Sequence, residues 1–256
     1  MGVVNVTPDS FSDGGLFLDP EAAVAHGRKL AEQGAEILDV GGESTRPGAE
    51  EVSEAEELRR VVPVVEGLAG VATVSVDTSK LAVAEAALDA GAEIVNDVTA
   101  MRHDPGIGTL CAERGSGLVL MHMLGDPRTM QVDPHYADVV DEVKAFLAER
   151  LEVAVAAGVD EECVWLDPGI GFGKTLEHNL ELLRRLGELR DLGRPLVIGT
   201  SRKSFLGKID GSPVDRRMGG TIASSVLAAA EGAEVLRVHD IAEIRQALTV
   251  AEAVLG

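Results

Sequence analysis

The chain has 256 residues, of which 45% are hydrophobic and 26% are charged, and this balance is typical of a globular protein with one core. Lys and Arg number 23 against 43 Asp and Glu, so the net charge of −20 argues against binding to nucleic acid or to an anionic membrane surface. No run of about 20 apolar residues or signal-peptide pattern is present, so we expect no membrane partner and a cytoplasmic location.

Short β-branched segments alternate with Ala-, Leu- and Glu-rich segments of helical periodicity along the chain, which predicts buried strands and amphipathic helices. Strands are predicted at residues 2–5, 36–40, 73–77, 93–97, 117–122, 164–167, 195–200 and 234–239. Helices are predicted at residues 20–33, 54–68, 80–90, 105–114, 137–157, 176–190, 215–231 and 241–254. Eight strand–helix units in about 250 residues predict an α/β fold, a single-domain (β/α)8 TIM barrel over residues 1–256.

Polar residues at the carboxyl ends of the predicted strands are candidate site residues, because a (β/α)8 barrel builds its site there. The first two strands open into long polar loops at residues 7–15 and 41–48, which we expect to act as lids. Asn96 and Asp97 are adjacent, so at most one of their side chains points into the barrel mouth. The other strand ends carry Asn5, Asp77, Asp167, Lys203, Arg237 and His239.

Each aspartate alone is equally well explained as the N-cap of the next helix. Together, however, these charges are costly to bury unless a polar ligand completes their pairing. The glycine-rich stretch 169–174 is similar to a phosphate loop only in part, and we interpret its Lys174 as a solvated charge at a helix start.

The chemistry of these side chains indicates the type of ligand. Carboxylates match adjacent N–H donors, such as those on the aminopyrimidinone edge of a pterin or guanine. Arg46, Arg237 and His239 match a second, anionic group such as a departing pyrophosphate.

Seven stretches, in order along nearly the whole chain, resemble the dihydropteroate synthase family. They are residues 1–15, 41–48, 96–98, 121–123, 167–174, 201–205 and 237–240. The resemblance implies a TIM barrel, usually a homodimer, that joins 6-hydroxymethyl-7,8-dihydropterin pyrophosphate to 4-aminobenzoate and releases pyrophosphate with Mg²⁺ present. It also implies an SN1-like step, in which the pterin methylene loses pyrophosphate before the amine attacks.

The resemblance assigns roles to individual residues. For the pterin, the implied contacts are Asp77, Asn96, Met121, Asp167 and Lys203. For the pyrophosphate they are Asn5, Thr45, Arg46, Arg237 and His239, with Asn5 acting through Mg²⁺. For 4-aminobenzoate they are Phe11, Thr45, Pro47, Phe172, Lys203 and Ser204. The implied catalytic residues are Asp77, Asp167, Lys203, Arg237 and His239.

Three other functions are compatible with parts of this pattern. A methyltetrahydrofolate methyltransferase shares the barrel and the Asp–Asn grip on a pterin, but has no use for Arg46 or for the loop at 201–204. A Schiff-base aldolase would use Lys203 as its nucleophile. A non-catalytic pterin-binding protein would not need Asn5, Arg46 and His239.

Overall fold

A computed structural model of the chain describes residues 1–7, 19–44, 48–49, 51–126 and 128–255. Phe11, Thr45, Arg46 and Pro47 lie outside the described residues, so the roles assigned to them stay predictions.

Parallel strands form the centre of the molecule. Within the described residues they are β1 Gly2–Asn5, β2 Ile37–Gly41, β3 Thr73–Asp77, β4 Ile94–Asp97, β5 Gly117–Met121, β6 Val164–Asp167, β7 Val197–Ile198 and β8 Val235–Leu236. Strands β1 to β6 pair in sequence order, and β7 pairs with β8. Single bridges join Leu166 to Leu196 and Gly2 to Val238, which closes the eight strands into a ring. The predicted (β/α)8 barrel is confirmed.

Helices follow the strands. Within the described residues they are α1 Pro20–Glu32, α2 Glu54–Leu68, α3 Leu81–Asp89, α4 Gly106–Arg114, α5 Val139–Ala156, α6 Leu176–Arg184, α7 Ser204–Asp210, α8 Met218–Ala230 and α9 Ile241–Leu255. None of these described helices is long and apolar enough to cross a membrane.

Two helical predictions need correction. The helix predicted at 176–190 ends at Arg184 and continues as a 3₁₀ segment, Leu186–Leu192, which contains the poor helix former Gly187. Helix α7 was not predicted, because its seven residues are too few for a clear periodicity.

Alternation along the strands divides the barrel into layers. One set of strand residues faces the helices, and the other faces the interior. The interior set begins with an apolar layer formed by Ile37, Ile94, Val119, Trp165, Val197 and Val235. Two residues further along five of these strands, the next interior positions are occupied by Asp39, Asn96, Met121, Asp167 and Arg237. The fold therefore places a polar layer directly above an apolar floor.

Candidate active site

A buried ion cluster lies in this polar layer. Arg237 Nε donates to Asp39 Oδ2 at 2.6 Å, and Arg237 Nη2 donates to Asp77 Oδ2 at 2.8 Å. The same Asp39 oxygen accepts a hydrogen bond from Asn96 Nδ2 at 3.1 Å. One carboxylate from β2 thus orients side chains from β4 and β8, and Arg237 joins it to the end of β3.

The charges in this cluster do not balance. One guanidinium faces two carboxylates, and Asp39 is fully buried. Burial raises the pKa of Asp77 to about 7, and Arg237 opposes this shift only in part because Asp39 shares its charge. Burial would lower the pKa of Arg237, but Asp39 and Asp77 together raise it. The cluster can therefore take up a proton on Asp77 near neutral pH.

A second group of polar residues lies at the ends of β6 and β7. Asp167 Oδ1 accepts a hydrogen bond from the backbone N–H of Gly169 at 2.7 Å. Lys203 Nζ donates to the carbonyl oxygen of Ile170 and lies 4.7 Å from the centroid of the Phe172 ring. Burial raises the pKa of Asp167 and the Lys203 charge opposes this shift, while burial lowers the pKa of Lys203 to about 8.

A cavity of about 450 Å³ opens at this end of the barrel. Seven of the predicted site residues line it: Asn5, Asp77, Phe172, Lys203, Ser204, Arg237 and His239. His239 Nδ1 lies 3.0 Å from Ser201 Oγ in the same wall. A second cavity of about 590 Å³ shares Glu43, Ser44 and Asp77 with the first. Groups from six strands, or from the loops that follow them, thus meet in one cleft.

The remaining described candidates are buried beside this cleft. Asn96 points inward and contacts Asp39, as the alternation allows for one of the two adjacent residues. Met121 packs in an apolar cluster with Met130 and Phe172. Asp167 is 6% exposed and does not line the cavity.

The helix-cap interpretation fails for Asp77 and Asp167, because Lys80 and Thr175 occupy the N-caps of α3 and α6. Asp97 instead fixes the loop after β4, accepting hydrogen bonds from the backbone N–H groups of Thr99 at 2.8 Å and Met101 at 2.6 Å.

Sequence reasoning missed Asp39 and misjudged Lys174. Asp39 is a charged residue inside an otherwise apolar strand segment, and this contrast was the available signal. Lys174 was interpreted as a solvated charge, yet it is only 1% exposed. That prediction was wrong, because glycine turns fold the chain over the lysine and supply it with internal acceptors.

The described part of this site offers few protein groups that could bind a metal ion. Among the described residues, no group of three or more His, Cys, Asp and Glu side chains is arranged to hold a metal ion. The Asn5 side chain lines the cavity and offers one amide oxygen. This donor suits a hard cation that takes most of its ligands from a bound phosphate and water.

The molecule is a TIM barrel with buried carboxylates and cations at its strand ends, and this architecture is that of an enzyme that binds a polar heterocycle. The pattern of the family described as "Pterin binding enzyme" matches residues 1–239. The dihydropteroate synthase of Escherichia coli K12 is 47% identical over 258 residues, covering 100% of this chain and 91% of that protein. The chain belongs to the dihydropteroate synthase family.

Two solved structures agree with this assignment. The Yersinia pestis dihydropteroate synthase in a sulfonamide complex superposes with a TM-score of 0.96 at 46% identity, covering 100% of this chain and 93% of that chain. The Xanthomonas albilineans dihydropteroate synthase in complex with 7,8-dihydropteroate gives a TM-score of 0.89 at 47% identity, with the same coverage.

Proposed function

We propose that this protein joins 6-hydroxymethyl-7,8-dihydropterin pyrophosphate to 4-aminobenzoate, forming 7,8-dihydropteroate and releasing pyrophosphate. The observation that carries this proposal is that Asp77, Lys203, Arg237 and His239 line one cavity above the buried Asp167. The proposal is further supported by the X. albilineans relative, which has been seen in complex with 7,8-dihydropteroate. A sulfonamide is expected to inhibit it, as the Y. pestis relative was solved in a complex with such a drug.

Pterin recognition follows from the distribution of donors and acceptors. Ionised Asp77 and Asp167 accept hydrogen bonds from the N–H groups of the aminopyrimidinone ring, and Lys203 donates to its carbonyl oxygen. Asp39 accepts a hydrogen bond from the amide N–H of Asn96, which leaves the Asn96 amide oxygen as an acceptor for a ligand donor in this proposal. Met121 packs with Phe172 and supplies an apolar surface for the ring.

Bond breaking at the pterin methylene needs no protein nucleophile. The C–O bond to pyrophosphate breaks first, and the electron-rich ring delocalises the resulting cation. Asp77 and Asp167 stabilise this positive charge, while Arg237 and His239 stabilise the departing pyrophosphate. The amine of 4-aminobenzoate then donates its lone pair to the methylene carbon and loses a proton.

The proposed aminobenzoate subsite lies in the same cavity. Phe172 provides an aromatic wall, and exposed Ser204 begins helix α7. The hydroxyl of Ser204 and the first backbone N–H groups of that helix are donors for the carboxylate of the substrate. Phe11, Thr45 and Pro47 complete this pocket in the proposal.

Mg²⁺ is the proposed cofactor, held by Asn5 and the substrate pyrophosphate. When bound, the ion supplies positive charge to the leaving group. The single amide oxygen of Asn5 on the cavity wall is consistent with a metal that arrives with the phosphate and not with a preformed protein cage.

A homodimer is the proposed assembly. The adjacent helices α8 and α9 expose the large apolar side chains of Leu227, Val250 and Val254. Exposed apolar side chains on two neighbouring helices are consistent with a protein contact in this proposal. Sedimentation velocity should give a mass of twice 26.8 kDa, and a monomer at micromolar concentration would exclude this assembly.

Product formation tests the proposed reaction directly. The purified protein is incubated with both substrates and Mg²⁺, and dihydropteroate is measured by mass spectrometry. Lys203→Met should lower kcat/KM by about 10- to 100-fold through loss of a charged donor. Lys208→Met, at an exposed position on α7, is the matched control and should behave as wild type. Absence of product from the wild-type protein would refute the proposal.

A further inference from the structure

Lys174 is a buried lysine that the proposed reaction does not use. Its Nζ lies 3.0 Å from the carbonyl oxygens of Gly169 and Phe172 and 2.8 Å from Nδ1 of His122. The residue is 1% exposed and does not line the catalytic cavity. Burying an amine away from water costs free energy unless the amine makes hydrogen bonds inside the protein. Lys174 has three such partners, at Gly169, Phe172 and His122.

Lys174 binds a turn that has no space for side chains at two of its glycines, Gly169 and Gly173. Gly169, Gly171 and Gly173 all have left-handed backbone angles, with φ of 67°, 87° and 63°. A Cβ at Gly169 would lie 1.9 Å from the carbonyl oxygen of His122, and one at Gly173 would lie 2.6 Å from Cβ of Leu124. The turn is therefore pressed against the chain that leaves β5. Glycine adopts these left-handed angles without steric cost, and the hydrogen bonds of Lys174 tie the turn to one arrangement.

This turn connects Lys174 to the catalytic lysine. The carbonyl oxygen of Ile170 accepts a hydrogen bond from Lys203 Nζ, and the Phe172 ring lies 4.7 Å from the same nitrogen. Lys174 binds the carbonyl groups on either side of Ile170, at Gly169 and Phe172. Any shift of the turn would thus move both the acceptor for Lys203 and an aromatic wall of the cavity.

We propose that Lys174 is a positioning residue, which holds the 169–173 turn so that Ile170 and Phe172 orient Lys203 in the substrate cavity. This inference rests on the proposed function, since Lys203 and Phe172 are its substrate contacts. It holds for either protonation state of the amine. A charged Lys174 donates to all three partners, and a neutral one donates to the two carbonyl oxygens and accepts from the Nδ1–H of His122.

Lys174→Met keeps the length and packing of the side chain and removes every one of these hydrogen bonds. We expect KM to rise about tenfold for both the pterin pyrophosphate and 4-aminobenzoate, because two contacts in the cavity are displaced. Leu68→Ala is the matched control. Leu68 is fully buried at the carboxyl end of α2, and this end of the helix lies at the opposite end of the barrel from the site. Truncation of the Leu68 side chain should therefore lower the melting temperature without changing either KM.

Hydrogen exchange provides a readout that does not require turnover. The backbone N–H of Gly171 donates to Asn179 Oδ1 at 2.6 Å, and in Lys174→Met this N–H should exchange faster while the amides of α2 keep their wild-type rates. If the wild-type protein makes no dihydropteroate, the proposed function fails, but this comparison still tests whether Lys174 positions the turn.

His122 variants test the same idea if Lys174→Met does not fold. His122→Leu removes one partner of the amine and should raise both KM values, whereas His122→Asn keeps an acceptor and should restore values nearer to wild type. Two results in whichever Lys174 or His122 variants fold would overturn the positioning role. They are KM values within about twofold of wild type and an unchanged exchange rate of the Gly171 amide. Lys174 would then have a purely structural role.

Discussion

Asp77→Asn is expected to remove a pH-dependent destabilisation from the protein. Asp39 and Asp77 share the charge of Arg237, so the buried cluster has one excess negative charge when both carboxylates are ionised. Burial raises the pKa of Asp77 from 3.8 to about 7, despite the opposing effect of Arg237. Between these two pH values the folded protein retains a proton that the unfolded chain has released.

The sign and size of the effect follow from proton linkage. The folded state binds more protons than the unfolded state in this range, so stability falls as the pH rises. Each pH unit corresponds to about 1.4 kcal/mol. Across the interval from 3.8 to about 7, the loss reaches at most about 4 kcal/mol and then stays constant. Below pH 3.8 both states hold the proton, and the contribution disappears.

Urea unfolding of the wild type and of Asp77→Asn, from about pH 5 to about pH 8, measures this contribution. The asparagine has no proton to release, so the stability of the variant relative to wild type should increase with pH. Exposed Asp215→Asn is the control and should give a constant difference. Parallel pH curves for wild type and Asp77→Asn would refute the charge-imbalance argument.

Four further outcomes are expected. Asp77→Asn and Asp167→Asn should each weaken binding of a pterin analogue by about 2–3 kcal/mol in calorimetry, since an amide adds donors where the ring has donors; unchanged affinity in both would leave them only structural roles. The pH profile of kcat/KM should rise through the Asp77 pKa of about 7 and fall through the Lys203 pKa of about 8, and Lys203→Arg should lack the alkaline fall. A flat profile would contradict both assignments. Chelation should stop product formation without changing the melting temperature of the ligand-free protein, because Asn5 is a weak ligand alone; a sharp loss of stability would indicate a preformed metal site instead. Phe172→Ala should raise KM for 4-aminobenzoate in initial-rate assays, since it removes an aromatic wall of the cavity, and an unchanged KM would place that substrate elsewhere.

Local patterns in the sequence were sufficient to predict the barrel. Each strand is a short β-branched segment and each long helix has an apolar face, and neither signal depends on distant residues. The predicted strands also located their own carboxyl ends, and this identified Asp77, Asp167 and Lys203 as candidate site residues. The closure of the ring was inferred only from the number of units, and the bridges from β1 to Val238 and from β6 to Leu196 show it.

Contacts between distant parts of the chain decided the electrostatics of the site. Arg237 contacts Asp39 across 198 residues of sequence, and Lys174 reaches His122 across 52. Whether a lysine after a glycine-rich turn is solvated or buried depends on where the turn lies against β5, which no local pattern specifies. The sequence by itself determined the elements and the end of the barrel that carries the site. Only the tertiary structure decided which charges share a partner, because burial and pairing depend on the distances that folding creates.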